Sequence, residues 1–134
     1  MGKLQDFLME AQIGTTQTEV QIAPFPYPFI VKSITEAENK AIRKTCQKVE
    51  FDKKTRQKRI DTDTDLYNAR LVVACCVEPN FKDAALQEKY GVRGAEDLIN
   101  LILNPGQYTD LLLAVQEING FTDEVNDLRD EAKN

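Results

Sequence analysis

An α+β fold is predicted, with β-strands and a hairpin in the N-terminal part and a predominantly α-helical bundle after it. Three observations predict it. Val20, Ile22, Phe29, Ile30, Val31 and Ile34 are β-prone and cluster early, separated by a run in which Pro24, Pro26 and Pro28 exclude helix. Later in the chain, apolar residues recur at helical spacing, most clearly Tyr108, Leu111, Leu112, Val115 and Ile118. Capping residues, glycines and prolines punctuate those helical runs.

The elements follow in order. Leu4, Phe7, Leu8 and Ala11 share one face of a short amphipathic helix, inside a segment, residues 1–17, that is expected to be loose. Residues 19–34 are read as two strands joined by a stiff polyproline-like connection. Thr35, with Glu38 three residues on, forms a capping box for a helix over 36–48 with a thin apolar stripe. Residues 46–61 end that helix and enter a charged hairpin anchored by Val49, Phe51 and Ile60. Asp63 or Thr64 caps a core helix reaching Val77, stopped by Glu78-Pro79-Asn80. Asp83 caps a short helix over 84–90, closed by Gly91. A buried helix covers 95–103, and Asn104-Pro105-Gly106 is a turn or a helix start. The clearest amphipathic helix spans 107–119 and closes at Gly120, and Thr122 caps a final polar helix over 122–134.

A chain of 134 residues fits one domain, 1–134, and can bury a core without disulfide staples. No stretch approaches the roughly 18 apolar residues that a membrane span needs. The three cysteines, Cys46, Cys75 and Cys76, are odd in number and two are adjacent, so they form no disulfide framework and point to a reducing cytoplasm, and Cys75 and Cys76 read as two small core residues on a buried helix. Histidine is absent, which removes the commonest general base and with it Ser-His-Asp triads, Cys-His dyads and His-based zinc sites. No glycine-rich phosphate loop occurs. Asp61-Thr-Asp-Thr-Asp65 resembles half a calcium loop, but Leu66 and Val72 stand where that loop needs Gly and Glu, leaving a solvated helix start. No cofactor, metal or catalytic residue is expected, and a binding protein is favoured over an enzyme.

Two segments are candidate grips for a partner. Phe25, Tyr27 and Phe29 alternate with the prolines, as a rigid connection over the core or as an exposed aromatic surface. Charge is uneven: net −2 over residues 1–42, +6 over 43–60 and −9 over 61–134. Lys53, Lys54, Lys58 and Arg59 lie in the basic segment 43–59. Three readings are open for it: a solvated surface, a nucleic-acid contact by a small regulatory protein, or self-association of the cationic segment with the acidic half of another copy.

The order of short motifs adds a further expectation. Pro28-Phe-Ile-Val-Lys-Ser-Ile-Thr-Glu-Ala-Glu38 is followed by Asp65-Leu-Tyr-Asn-Ala-Arg-Leu-Val-Val-Ala74 and Val77-Glu-Pro-Asn-Phe-Lys-Asp83. Leu86-Gln-Glu-Lys-Tyr-Gly-Val92, Leu103-Asn-Pro-Gly-Gln-Tyr108 and Val115-Gln-Glu-Ile-Asn-Gly-Phe121 complete the series. Together they resemble the XkdN-like tail assembly chaperones of tailed phages and defective prophages, over nearly the whole chain. The resemblance implies a non-enzymatic protein of the host bacterial cytoplasm. Its implied client is the tape measure protein, with the tail tube protein a second partner. The matching residues are core and turn positions, so the resemblance locates no binding surface.

Overall fold

The computed structural model describes residues 2–11 and 13–121. The polar helix expected over 122–134 lies outside the described residues. Eleven elements run along the described chain. Helix α1 (Lys3–Glu10) is followed by strands β1 (Gln17–Val20) and β2 (Phe29–Lys32), helix α2 (Glu36–Thr45) and the strands β3 (Gln47–Phe51) and β4 (Lys58–Thr62). Helix α3 (Thr64–Cys75) runs straight into β5 (Cys76–Glu78), and α4 (Ala84–Lys89), α5 (Ala95–Ile102) and α6 (Pro105–Ile118) complete the bundle. The architecture is α+β, as the sequence predicts.

One sheet has the order β1-β2-β5 and is antiparallel throughout. Central β2 alternates buried Phe29 and Val31 with half-buried Ile30 and Lys32, the pleat of a strand with one face on the core. Between β1 and β2 the chain turns at Pro24, whose peptide bond is cis, and the Phe25 N–H donates to the Ile22 carbonyl at 3.0 Å. The second sheet is the hairpin β3–β4, with Val49 opposite Ile60 and Phe51 opposite Lys58.

The helices start where side-chain acceptors meet unpaired N–H groups. Asp63 caps α3 by accepting the Leu66 N–H at 3.2 Å, and Asp83 caps α4 by accepting the Leu86 N–H at 3.0 Å. Asn104 accepts the Gln107 N–H at 2.8 Å while Gln107 Oε1 accepts the Asn104 N–H at 2.9 Å, a complete capping box with Pro105 in the first helical turn. The Thr35 box is half formed. Its hydroxyl accepts the Glu38 N–H, but Glu38 turns back to that hydroxyl rather than to the backbone.

Two boundaries differ from the sequence reading. Helix α2 stops at Thr45 because the hairpin ladder begins at Gln47, opposite Thr62. Helix α3 stops at Cys75 because Cys76 pairs with Val31 and Ile30 with Glu78. A three-residue strand thus occupies what the apolar run Leu71–Val77 presents as helix.

The core lies between the first sheet and α3, α5 and α6. Phe81, Leu71, Leu98, Ile99, Leu111, Val31, Val72 and Val115 are its largest fully buried side chains. Burying each such side chain contributes roughly 1.5–3 kcal/mol. Helix α2 docks differently, through polar Asn39, the one buried polar residue among those described. Its amide donates to Glu36 at 3.0 Å and its carbonyl accepts the Tyr67 hydroxyl of α3. Arg43 covers the Tyr67 ring at 5.9 Å, a contact a quadrupole favours. No described helix is long and apolar enough to cross a membrane.

Candidate functional site

Two apolar surfaces are left uncovered by the described residues. On α1, Leu4, Phe7 and Leu8 recur at spacings of three and four, the pattern of a helix meant to bury a stripe. Yet α1 buries none of its residues, and Leu4, Phe7, Leu8 and Met9 are 70%, 59%, 52% and 80% exposed. The second surface is the hairpin. Cross-strand partners share a face, so Val49, Phe51 and Ile60 lie together, and they are 65%, 57% and 63% exposed. These are the three residues the sequence marks as hairpin anchors. They lie on one side of the ribbon, as anchors would, but face solvent instead of the core.

The opposite face of the hairpin is charged and mixed in sign. Lys48 lies opposite Asp61 and Glu50 opposite Arg59. Lys48 pairs with Asp63 at 3.7 Å and Arg59 with Asp61 at 2.9 Å. Lys53 and Lys54 sit at the tip, where the Lys54 backbone N–H donates to Asp52 at 2.9 Å and holds that exposed carboxyl below its usual value. Lys58 lies on β4, on the Phe51 side. Such alternation of charge suits protein contacts better than a track along phosphates.

The aromatic run divides. Phe29 is in the core, 4% exposed, and half-buried Phe25 meets it edge to face at 5.1 Å. Tyr27 alone of the three is exposed, at 78%. The three do not form one aromatic surface, because the turn at Pro24 folds the first over the third. Gln107 Nε2 ties this turn to α6 by donating to the Ala23 carbonyl at 2.9 Å.

A groove absent from the sequence reading runs between β1 and α6, about 480 Å³ in volume. Thr18, Glu19, Val20 and Gln21 form one wall and Ala114, Glu117 and Ile118 the other. No local pattern signals it, since it exists only once α6 packs beside the sheet. Among the described residues, no group of three or more potential ligands could hold a metal ion. The thiols are inert by position. All three cysteines are buried and reduced. Burial pushes the Cys76 thiol up to about 12, with the Glu78 carboxylate and Cys75 adding to it, and burial likewise raises Cys75.

With its strands, capped helices and uncovered apolar faces in place, the chain matches the model of the phage XkdN-like tail assembly chaperones over residues 4–133, and it belongs to that family. It is 31% identical over 109 residues to the phage-like element PBSX protein XkdN of Bacillus subtilis strain 168, covering 80% of this chain and 72% of that protein. It is 34% identical over 111 residues to the uncharacterized protein YqbN of the same strain, with the same shares covered. The crystal structure of the protein YqbN superposes with a TM-score of 0.67 at 26% identity, covering 86% of this chain and 94% of that one. The family is one of assembly chaperones, not an enzyme class.

Proposed function

We propose that this protein is a non-enzymatic tail assembly chaperone, one unit over residues 1–134, that acts in the host cytoplasm. In this reading it holds the tape measure protein soluble while the tail tube assembles around it. The observation that carries the reading is α1, a helix with a formed apolar stripe and no cover among the described residues. A holding protein needs such a surface for its client, and an excess of charge to stay soluble while presenting it. The chain has both, with a net charge of −5. Leu4, Phe7 and Leu8 dock against an apolar helical segment of the client, as an amphipathic helix docks in a groove. Tyr27, exposed at the sheet end, is a secondary contact, and the tube protein joins through the client. Metal and cofactor have no part in this function.

Co-expression with the tape measure protein of the same prophage tests it. The intact protein is expected to co-purify with its client and keep it in the soluble fraction. Leu4→Ser/Phe7→Ser loses the client while its unfolding curve is unchanged. A client that stays insoluble beside the intact protein, or that binds the double variant equally well, overturns the reading.

A further inference from the structure

We propose that a second copy of this chain docks its β3–β4 hairpin as an added strand in the groove between β1 and α6.

Both halves of the contact lack a partner among the described residues. The sheet order ends at β1, so β1 has one open edge. The Ser33 N–H donates to the Thr16 carbonyl at 2.8 Å, which sets the alternation of the ladder. Thr16 and Thr18 turn their backbone groups towards β2, and Gln17 and Glu19 turn theirs outwards. On the hairpin, Asp63 donates to Cys46 at 2.7 Å and Asp52 to Gln57 at 3.0 Å. By the same alternation, Lys58, Ile60 and Thr62 present their N–H and C=O groups at the outer edge of β4. A strand edge of this kind is a template for pairing.

The hairpin also needs support. A two-stranded ribbon with neither face packed is marginal in water, and three or more strands are the usual remedy. Its residues from Gln47 to Ile60 are all exposed. Joining β1 of another copy extends that copy's sheet from three strands to five.

Charge at two positions favours this occupant, although Glu50 and Asp61 share the Arg59 face. Among the described residues, Glu19 and Glu117 are the charged ones lining the groove, and both are acidic. The hairpin supplies Lys58 and Arg59. Every ladder among the described residues is antiparallel. With Ile60 set opposite Glu19 in that sense, Arg59 falls on the α6 side with Glu117, and Lys58 flanks Glu19 on the other face. Arg59 uses Nε for Asp61, and the guanidinium keeps further donors for a second carboxylate.

Sedimentation equilibrium of the purified full chain over a concentration series tests the proposal. The intact protein is expected to self-associate, less so at high salt. Glu117→Lys or Arg59→Glu alone loosens association by about tenfold or more. The double variant regains it by restoring opposite charges. An equal mixture of the two single variants also regains it, since each brings one intact half, which a misfolded variant could not do. A strict monomer at all concentrations overturns the proposal. So does association that ignores both single variants, or a double variant as weak as they are.

Discussion

Asn119 accepts the backbone N–H of Ile34 through Oδ1 at 2.9 Å, joining the end of α6 to the chain that leads from β2 into α2. The same amide donates through Nδ2 to the Val115 carbonyl at 2.8 Å and lies 3.5 Å from Cys75 Sγ. One side chain therefore closes the last turn of α6 and fastens it to the sheet side of the core. Asn119→Ala leaves the Ile34 donor without this acceptor in a half-buried place. A loss of about 1–3 kcal/mol is expected, read as a lower urea midpoint at an unchanged slope.

Core and hairpin are expected to respond oppositely to truncation. Leu71 and Leu111 are fully buried, so Leu71→Ala or Leu111→Ala costs about 2–5 kcal/mol. Phe51 is larger but 57% exposed. Phe51→Ser leaves the global unfolding midpoint within about 0.5 kcal/mol. A large effect at Phe51 would show that the hairpin face is covered within the monomer.

The capping box of α6 gives a graded test. Asn104→Ala removes the acceptor of the Gln107 N–H and costs about 0.5–2 kcal/mol. Gln107→Ala loses the Asn104 partner and also the tie to the Ala23 carbonyl. It therefore loosens the Pro24 turn as well as the helix start. Amide hydrogen exchange is expected to rise around Phe25 in Gln107→Ala and not in Asn104→Ala.

The buried thiols contribute to the alkaline limit, alongside Tyr67 and Tyr108, which burial also raises. Cys76 has its folded value raised to about 12, chiefly by burial, from an ordinary value of 9.0. A raised value means the folded state holds its proton where the unfolded chain releases it. The contribution is present in full below pH 9, and it is lost as the pH rises towards 12. Cys75 shifts in the same direction. Alkaline titration should unfold the protein within that window, and Cys76→Ala should move the transition to higher pH. At pH 8, a thiol reagent is expected to label no cysteine in the folded protein and all three after denaturation.

Much of the fold could be read from local chemistry. The caps at Thr35, Asp63, Asp83 and Asn104 act within four residues, so their signatures survive in the sequence. Gly91 and Gly120 mark helix ends because both adopt positive φ, +71° and +83°. The hairpin at 47–62 follows from its alternating anchors. Strand β5 could not be read, because Cys76-Val77-Glu78 continues an apolar helical run and only pairing with Ile30 and Val31 makes it a strand. The surfaces fared less well for the same reason. Periodicity marks Val49, Phe51 and Ile60 as apolar positions, but whether such a face meets the core or water depends on distant chain. The groove beside β1 joins residues about a hundred positions apart and leaves no pattern in either segment.

The passage from α3 to β5 without an intervening residue has a consequence for how the chain can change in length. One residue inserted between Cys75 and Cys76 would have to turn the helix by about 100° or reverse the strand's two faces. Either change would pull Leu71, Val72 and Cys75, or Cys76, out of register with the core. No slack exists there to absorb it. The tip at Lys53–Gln57, exposed and remote from the core, can lengthen or shorten freely. Insertions and deletions among relatives should gather at that tip and spare the helix-to-strand seam, which acts as the fixed point of the protein's length.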